Sequence, residues 1–396
     1  MSVFNLQSKT IVHIFIILLA VSPAFALGDG NRNLLLIGAM GFSPFFLIRY
    51  PVIIPKLDFP LILLCFGMIA FPIVFHPETM RWSTVLYSCM FCLYFMAFVR
   101  VLRHSDYALE DLSKLLKGLL YAYCIVLIIQ QFCVLIGLPI FNISNYSIKE
   151  PWKLNSLMSE PSHSARIIPV LMYMYICTQF RLKKIYTLRD SLKVDRNVWF
   201  AFLWPVLTMG SATAFLFMLI VFAKFINIKR FLPSLIMIAS VASFFILFSE
   251  NKAVDRMKKT FAATLTLDEK TIIHTDHSAS FRIVPTIQGA KFIGLTTLND
   301  FIGHGVDADQ QLITPLPSVK IGNSGAFYMW VNFGCIVALL FWIFTLKICF
   351  NKKDLVTLFI WLLCVFMYGG INMQIIWLVL ALFYTEREMI NNLIEE

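Results

Sequence analysis

Apolar runs, each closed by a few polar or charged residues, follow one another from end to end of the chain. A helix rises about 1.5 Å per residue, so about 20 apolar residues cross a hydrocarbon layer about 30 Å thick. Runs of this kind fall near 11–27, 33–48, 59–75, 82–99, 118–141, 165–180, 197–209, 211–227, 232–248, 324–346, 355–368 and 371–385. The pattern predicts an all-α polytopic integral membrane protein with about twelve transmembrane helices, because a helix satisfies its own backbone hydrogen bonds where no water reaches. The seventh and eighth runs part only around Gly210-Ser211, which predicts a broken hairpin or a re-entrant pair. Residues 106–117 set Leu109, Leu112, Leu115 and Leu116 among charges, the pattern of an amphipathic interfacial helix leading into the fifth span.

Composition narrows the class. Hydrophobic residues make up 59% of the 396, charged residues 14%, and mean hydropathy is +0.77, more apolar surface than one soluble core hides. The net charge of +10 is spread in short clusters between the runs, which excludes a nucleic-acid-binding face. It reads instead as topology, since Lys and Arg in short loops stay cytoplasmic. Alternate loops hold Arg49 and Lys56; Arg100, Arg103, Lys114 and Lys117; Arg181, Lys183, Lys184, Arg189, Lys193 and Arg196; Lys224, Lys229 and Arg230; and Lys347, Lys352 and Lys353. Twelve crossings place all of these inside, with both termini. The short intervening loops carry only Arg32, Arg81, Lys149, Lys153 and Arg166 and are placed outside. Ala24-Phe25-Ala26 offers the small-x-small pattern of signal cleavage, but further spans follow at once, and the first run is expected to be retained.

None of the nine cysteines falls in an outward loop, so no disulfide framework is expected. The CxxC spacing of Cys89 and Cys92 lies inside an apolar run and is read as coincidence. No metal site is expected.

The chain is read as one membrane domain over 1–396, with a first outward loop at 142–164 and a large one at 249–323, between helices 9 and 10. The first loop ends in Glu160-Pro161-Ser162-His163-Ser164-Ala165-Arg166 and then turns apolar. Pro161 suits the first helical position, and residues three apart are helical neighbours, so Glu160, His163 and Arg166 form a ladder over the first turns. A helix N-terminus facing outward, with Arg166 beside it, makes an anion site that a phosphate-bearing substrate fits. The plain alternative is that Glu160 caps the helix and Arg166 reaches lipid headgroups. In the large loop Ile283, Val284, Ile287 and Ala290 share one face of a helix led by Arg282, with Pro285 tolerable in its first turn. Farther on, Gly303 and Gly305 flank His304 and allow a ligand close to the main chain. An ordinary turn explains the same three residues. Gln130, Gln131, Asn332, Asn372 and Gln374 are polar residues within runs and are read chiefly as interhelical hydrogen bonders.

Glu160-Pro161-Ser162 opening a span, the amphipathic stretch led by Arg282, the Gly303-x-Gly305 turn, and Asn323-Ser324 running into a span with Gly334 together resemble the O-antigen polymerase and ligase superfamily. The resemblance covers most of the chain in topology and about thirty residues in motif. It implies a multi-pass protein of the bacterial inner membrane. It further implies a glycosyltransferase, without metal or cofactor, that polymerises polyprenyl-diphosphate-linked repeat units at the outer face. Outer-face arginines, here Arg166 and Arg282, are then expected to hold the diphosphate, and Glu160, His163 or His304 to take the proton of the acceptor hydroxyl. The expected partners are the polyprenyl-diphosphate-linked glycan, membrane lipid, a chain-length regulator and a flippase. Three departures stand out. Asn323 occupies the place of a His typical of the ligases, eleven residues rather than ten separate Arg282 from Gly294, and Gly210-Ser211-Ala212-Thr213 lacks the Arg that relatives often carry there. The first of these favours a polymerase over the alternative ligase. A lipid-linked glycan flippase or transporter is the alternative from another class; it calls for internal repeats and mid-membrane charge, and the sequence has no convincing repeat between its halves and almost no charge inside the runs.

Overall fold

The computed structural model describes residues 2–22, 33–142, 150–209, 211–226, 252–316 and 322–395. Their regular structure is helical, apart from an isolated bridge between Asn351 and Asp354. Among the described residues, Pro55–Phe75, Trp82–Arg103, Leu109–Ile136 and Gly325–Cys349 are long and apolar enough to cross a membrane, as in a multi-pass membrane protein. Shorter apolar helices cover Ser8–Ala20, Leu34–Arg49, Thr213–Ala223 and Val356–Tyr368. The run expected at 232–248, Gly210 and the Ala24-Phe25-Ala26 pattern lie outside the described residues.

Several elements differ from the sequence expectation. The run at 33–48 is two short helices, Leu34–Gly41 and Ser43–Arg49, because Pro44 has no N–H for the preceding turn and its ring crowds that turn's carbonyl. The expected interfacial helix at 106–117 is no separate element: it forms the first turns of one 28-residue helix, Leu109–Ile136. Asp111 Oδ2 accepts a hydrogen bond from Ala108 N at 3.1 Å, which starts the helix, and Lys9 Nζ reaches the same carboxylate at 2.9 Å. Leu109, Leu112 and Leu116 are buried against protein, not spread on headgroups. The amphipathic helix of the large loop begins at His277, so Arg282 lies in its second turn and Pro285 inside it.

The chain forms two compact units. The first comprises Met1–Gly38, Val101–Asp255 and Ala381–Glu396. At its centre the Pro161–Leu182 helix packs against Leu109–Ile136, Arg196–Thr208 and Ala212–Ala223, and is buried from Ser164 to Gln179. Full enclosure explains how it carries Thr178 and Gln179; the latter donates to Ser113 Oγ at 2.8 Å.

The second unit comprises Ala39–Arg100 and Arg256–Leu380. Its helices Pro55–Phe75 and Gly325–Cys349 pack together at Gly67, where a Cβ would lie 2.7 Å from Val337 Cγ2. The short helices Glu269–Thr275 and His277–Ala290 share a small core of Ile272, Val284 and Leu316. A buried ion pair, Arg100 Nη2 to Asp58 Oδ2 at 3.0 Å, ties Trp82–Arg103 to the first turn of Pro55–Phe75. The same Asp58 oxygen accepts from Ile54 N at 2.8 Å, and Arg100 Nε donates to Val52 O at 2.7 Å.

Candidate functional site

In the first unit the Pro161 helix starts where a polar clasp fixes the preceding chain. Gln130 Oε1 accepts from Ser156 N at 2.9 Å, Gln130 Nε2 donates to Phe141 O at 3.0 Å, and Asn142 Nδ2 donates to Ser156 O at 2.6 Å. Ser156 Oγ donates to Tyr123 O at 2.6 Å, and Ser164 Oγ to Asn155 O. Buried Gln130, expected to bond between helices, bonds here to the non-helical segment before Pro161 and so sets the geometry of the chain that presents Glu160.

Glu160 takes the N-cap position with extended backbone, yet its side chain makes no capping hydrogen bond. Its Oε2 accepts from Ser162 Oγ at 3.3 Å. Glu160 and His163 are half-buried, whereas Arg166 is 7% exposed, which places it inside the protein and not out among headgroups. The helix register brings Glu160, His163 and Arg166 to the same opening turns, with the N-terminal N–H groups beside them.

In the second unit the Gly303-His304-Gly305 turn lies between two elements. On one side, His304 N donates to Val331 O at 2.9 Å, and the Gly325–Cys349 segment leaves helical geometry at Gly334, with φ 81° and ψ 171°. On the other, His76 Nε2 meets Gly303 O at 3.0 Å. Asp307, two residues beyond the turn, accepts from Arg81 Nη1 at 3.1 Å and Thr84 Oγ1 at 2.9 Å. The His304 ring packs edge-on against Phe292, 5.8 Å between centroids. Burial, with His76 nearby, lowers the pKa of His304 against the opposing pull of Asp300, which favours the neutral ring. Asp300 itself is held low by hydrogen bonds from Thr297 N at 2.7 Å and Thr296 N at 2.9 Å.

Asp309 is the buried acid of this cluster. Its Oδ2 accepts from Ser324 Oγ at 3.3 Å and Ser324 N at 3.4 Å, and its own N donates to Asn332 Oδ1 at 3.2 Å. The other carboxylate oxygen is buried without a hydrogen bond among the described residues. Burial pushes its pKa up to about 6, with Asp307 adding to the shift. Asn323, in the place of the ligase-type His, accepts from Gly325 N at 2.7 Å and so shapes the turn before the long apolar helix.

The structure thus groups Glu160, His163 and Arg166 at one helix start in one unit. In the other unit it groups His304 with His76, Arg81, Asp307 and Asp309. Arg282 belongs to the His277–Ala290 helix, one turn before Thr286, whose Oγ1 accepts from Ala326 N at 3.2 Å; the Arg282 side chain lies outside the described residues. Sequence reading passed over His76, Asp307 and Asp309, since one His in a short loop and two Asp in a long one carry no spacing signal. Among the described residues no group of three or more His, Cys, Asp or Glu is placed to hold a metal ion. No model of a known protein family and no curated protein matches this chain.

Proposed function

We propose that the protein is an inner-membrane glycosyltransferase of twelve spans, both termini cytoplasmic, that polymerises polyprenyl-diphosphate-linked repeat units at the outer face. The observation that carries this reading is the buried Arg166 at the head of a helix opened by Glu160-Pro161-Ser162. A guanidinium within the opening turns of a helix, near its N-terminal N–H groups, favours a polyanion such as a diphosphate. The packing of the Gly303-x-Gly305 turn on the Ser324 to Gly334 segment gives further support, since these motif pieces of the resemblance meet in space.

In this reaction the acceptor hydroxyl attacks the anomeric carbon of the lipid-linked glycan. The bond to the diphosphate oxygen breaks, and the lipid diphosphate leaves as an anion, for which Arg166 in the first unit and Arg282 in the second are each a candidate cation. The hydroxyl proton passes to a base among Glu160, His163 and His304. His304 has the surroundings that favour a neutral imidazole, and Glu160 has a carboxylate whose Oε2 accepts from Ser162 Oγ.

Deleting the gene and analysing the surface glycan tests the reading. A single repeat unit on the final anchor identifies a polymerase, no glycan on that anchor a ligase, and repeat units trapped on the cytoplasmic side a flippase. Cytoplasm-dependent reporters should work after Lys193 and Lys353 and fail after Lys270; activity after Lys270 would overturn the orientation.

A further inference from the structure

The link between the Pro161–Leu182 and Arg196–Thr208 helices carries chemistry that the proposed reaction leaves unused. Residues 181–196 hold six Lys or Arg against two Asp, a net of +4. A short helix, Leu188–Val194, lies in this link. Its start is fixed by Thr187 Oγ1, which accepts from Asp190 N at 3.2 Å, and its middle by Trp199 Nε1, which donates to Ser191 Oγ at 2.9 Å. With Ser191 turned inward, Leu192, Lys193 and Val194 are left exposed. An open groove of about 750 Å³ runs along it, lined by Leu188, Arg189, Leu192, Lys193 and Arg196. The two carboxylates of the link are engaged elsewhere, Asp190 with Thr187 at 2.6 Å and Asp195 with Lys183 at 3.4 Å. None of the three groove cations has a carboxylate partner among the described residues.

Two stripes lie side by side in this groove: leucines at i and i+4, and cations at the next positions i and i+4, with Arg196 closing the end. A soluble polyanion would meet the cations and leave the leucines in water. A free phosphate would do the same. We propose that this groove is a binding site for an anionic phospholipid of the leaflet that the link faces, with the phosphate on Arg189, Lys193 and Arg196 and the acyl chains along Leu188 and Leu192. The link joins two segments read as spans, which sets it at a membrane surface where juxtamembrane cations attract anionic lipid. The proposal rests on that membrane reading and not on the glycosyltransferase activity.

The test is native mass spectrometry of the full chain in detergent, titrated with phosphatidylglycerol or phosphatidylcholine, a readout independent of catalysis. Phosphatidylglycerol should give a bound lipid at concentrations where phosphatidylcholine gives none. Arg189→Ala with Arg196→Ala should weaken it roughly tenfold or more, while Lys at both positions should retain it, as should Lys352→Ala with Lys353→Ala. Leu192→Asn should weaken it with all charges kept, and millimolar inorganic phosphate should not displace it. Equal binding of the two lipids, equal loss in both double-alanine variants, an unchanged affinity in Leu192→Asn, or displacement by phosphate would each overturn the proposal. The charge-keeping variant separates lost binding from lost folding, since misfolding of the alanine pair alone leaves the comparison with Leu192→Asn intact.

Discussion

The main chain at Gly303 and the main chain at Gly334 lie against each other with no room for a side chain on either. A Cβ on Gly334 would sit 2.5 Å from Gly303 N, one on Gly303 would sit 2.6 Å from Phe333 N, and both residues have positive φ, 81° and 85°. The loop that carries His304 is therefore docked backbone to backbone on the break in the Gly325–Cys349 segment.

Gly303→Ala or Gly334→Ala should each cost about 2–4 kcal/mol, from the backbone conformation and the overlap together. Thermal unfolding of the purified protein checks this. Gly38→Ala, where nothing lies within 4 Å of the added Cβ, should leave the midpoint unchanged or raise it. Equal midpoints for all three variants would show that the close approach is absent.

The Arg100–Asp58 pair makes a second case. Asp58→Ala should destabilise by about 3–5 kcal/mol because it strands a buried guanidinium, while Asp58→Leu with Arg100→Met should come close to neutral. The double-mutant cycle from unfolding midpoints gives the coupling; additive effects would mean that the pair is not formed.

Asp309 gives a pH dependence with a definite sign. Its folded pKa of about 6 lies above the ordinary carboxylate value, so the fold favours the protonated form. Its contribution is present below about pH 4 and is lost as pH rises through about 6. Asp309→Asn, which can still accept from Ser324, should raise stability above pH 6 by on the order of 2–3 kcal/mol and flatten the profile between pH 4 and 6. A variant whose profile parallels the parent protein's would refute the assignment.

Arg166→Ala and Arg282→Ala should each abolish chain growth, and Lys at either position should restore little, because an ammonium does not reproduce the bidentate fork on phosphate oxygens. Full-length polymer from normally expressed alanine variants would remove the diphosphate role.

For the base, His304→Gln, Glu160→Gln and His163→Gln are compared by turnover and by retention of lipid-linked glycan. The residue that acts should lose about 10²–10⁴-fold in rate with binding kept. If it is His304, its lowered pKa confines the acid limb of the pH–rate profile to values below the ordinary imidazole range. A profile unchanged in His304→Gln would remove His304 from the role.

The sequence by itself determined the helical class and the apolar length that suits helices to cross a membrane, because hydrocarbon forces backbone hydrogen bonds to close within a segment and length sets what a segment can span. It also placed the helix start at Pro161, since the missing N–H and fixed φ of proline act locally. Tertiary structure decided which surfaces face protein. The amphipathic stripe at 109–116 looked interfacial because periodicity records that a face is apolar and not what covers it; here protein covers it. Only folding shows that Arg166 is enclosed, that Gln130 clasps the loop before Glu160, and that Asp309 is buried against Ser324. Gly303 and Gly334 meet for the same reason: such contacts join residues distant in the chain, and no local pattern encodes the closure that brings them together.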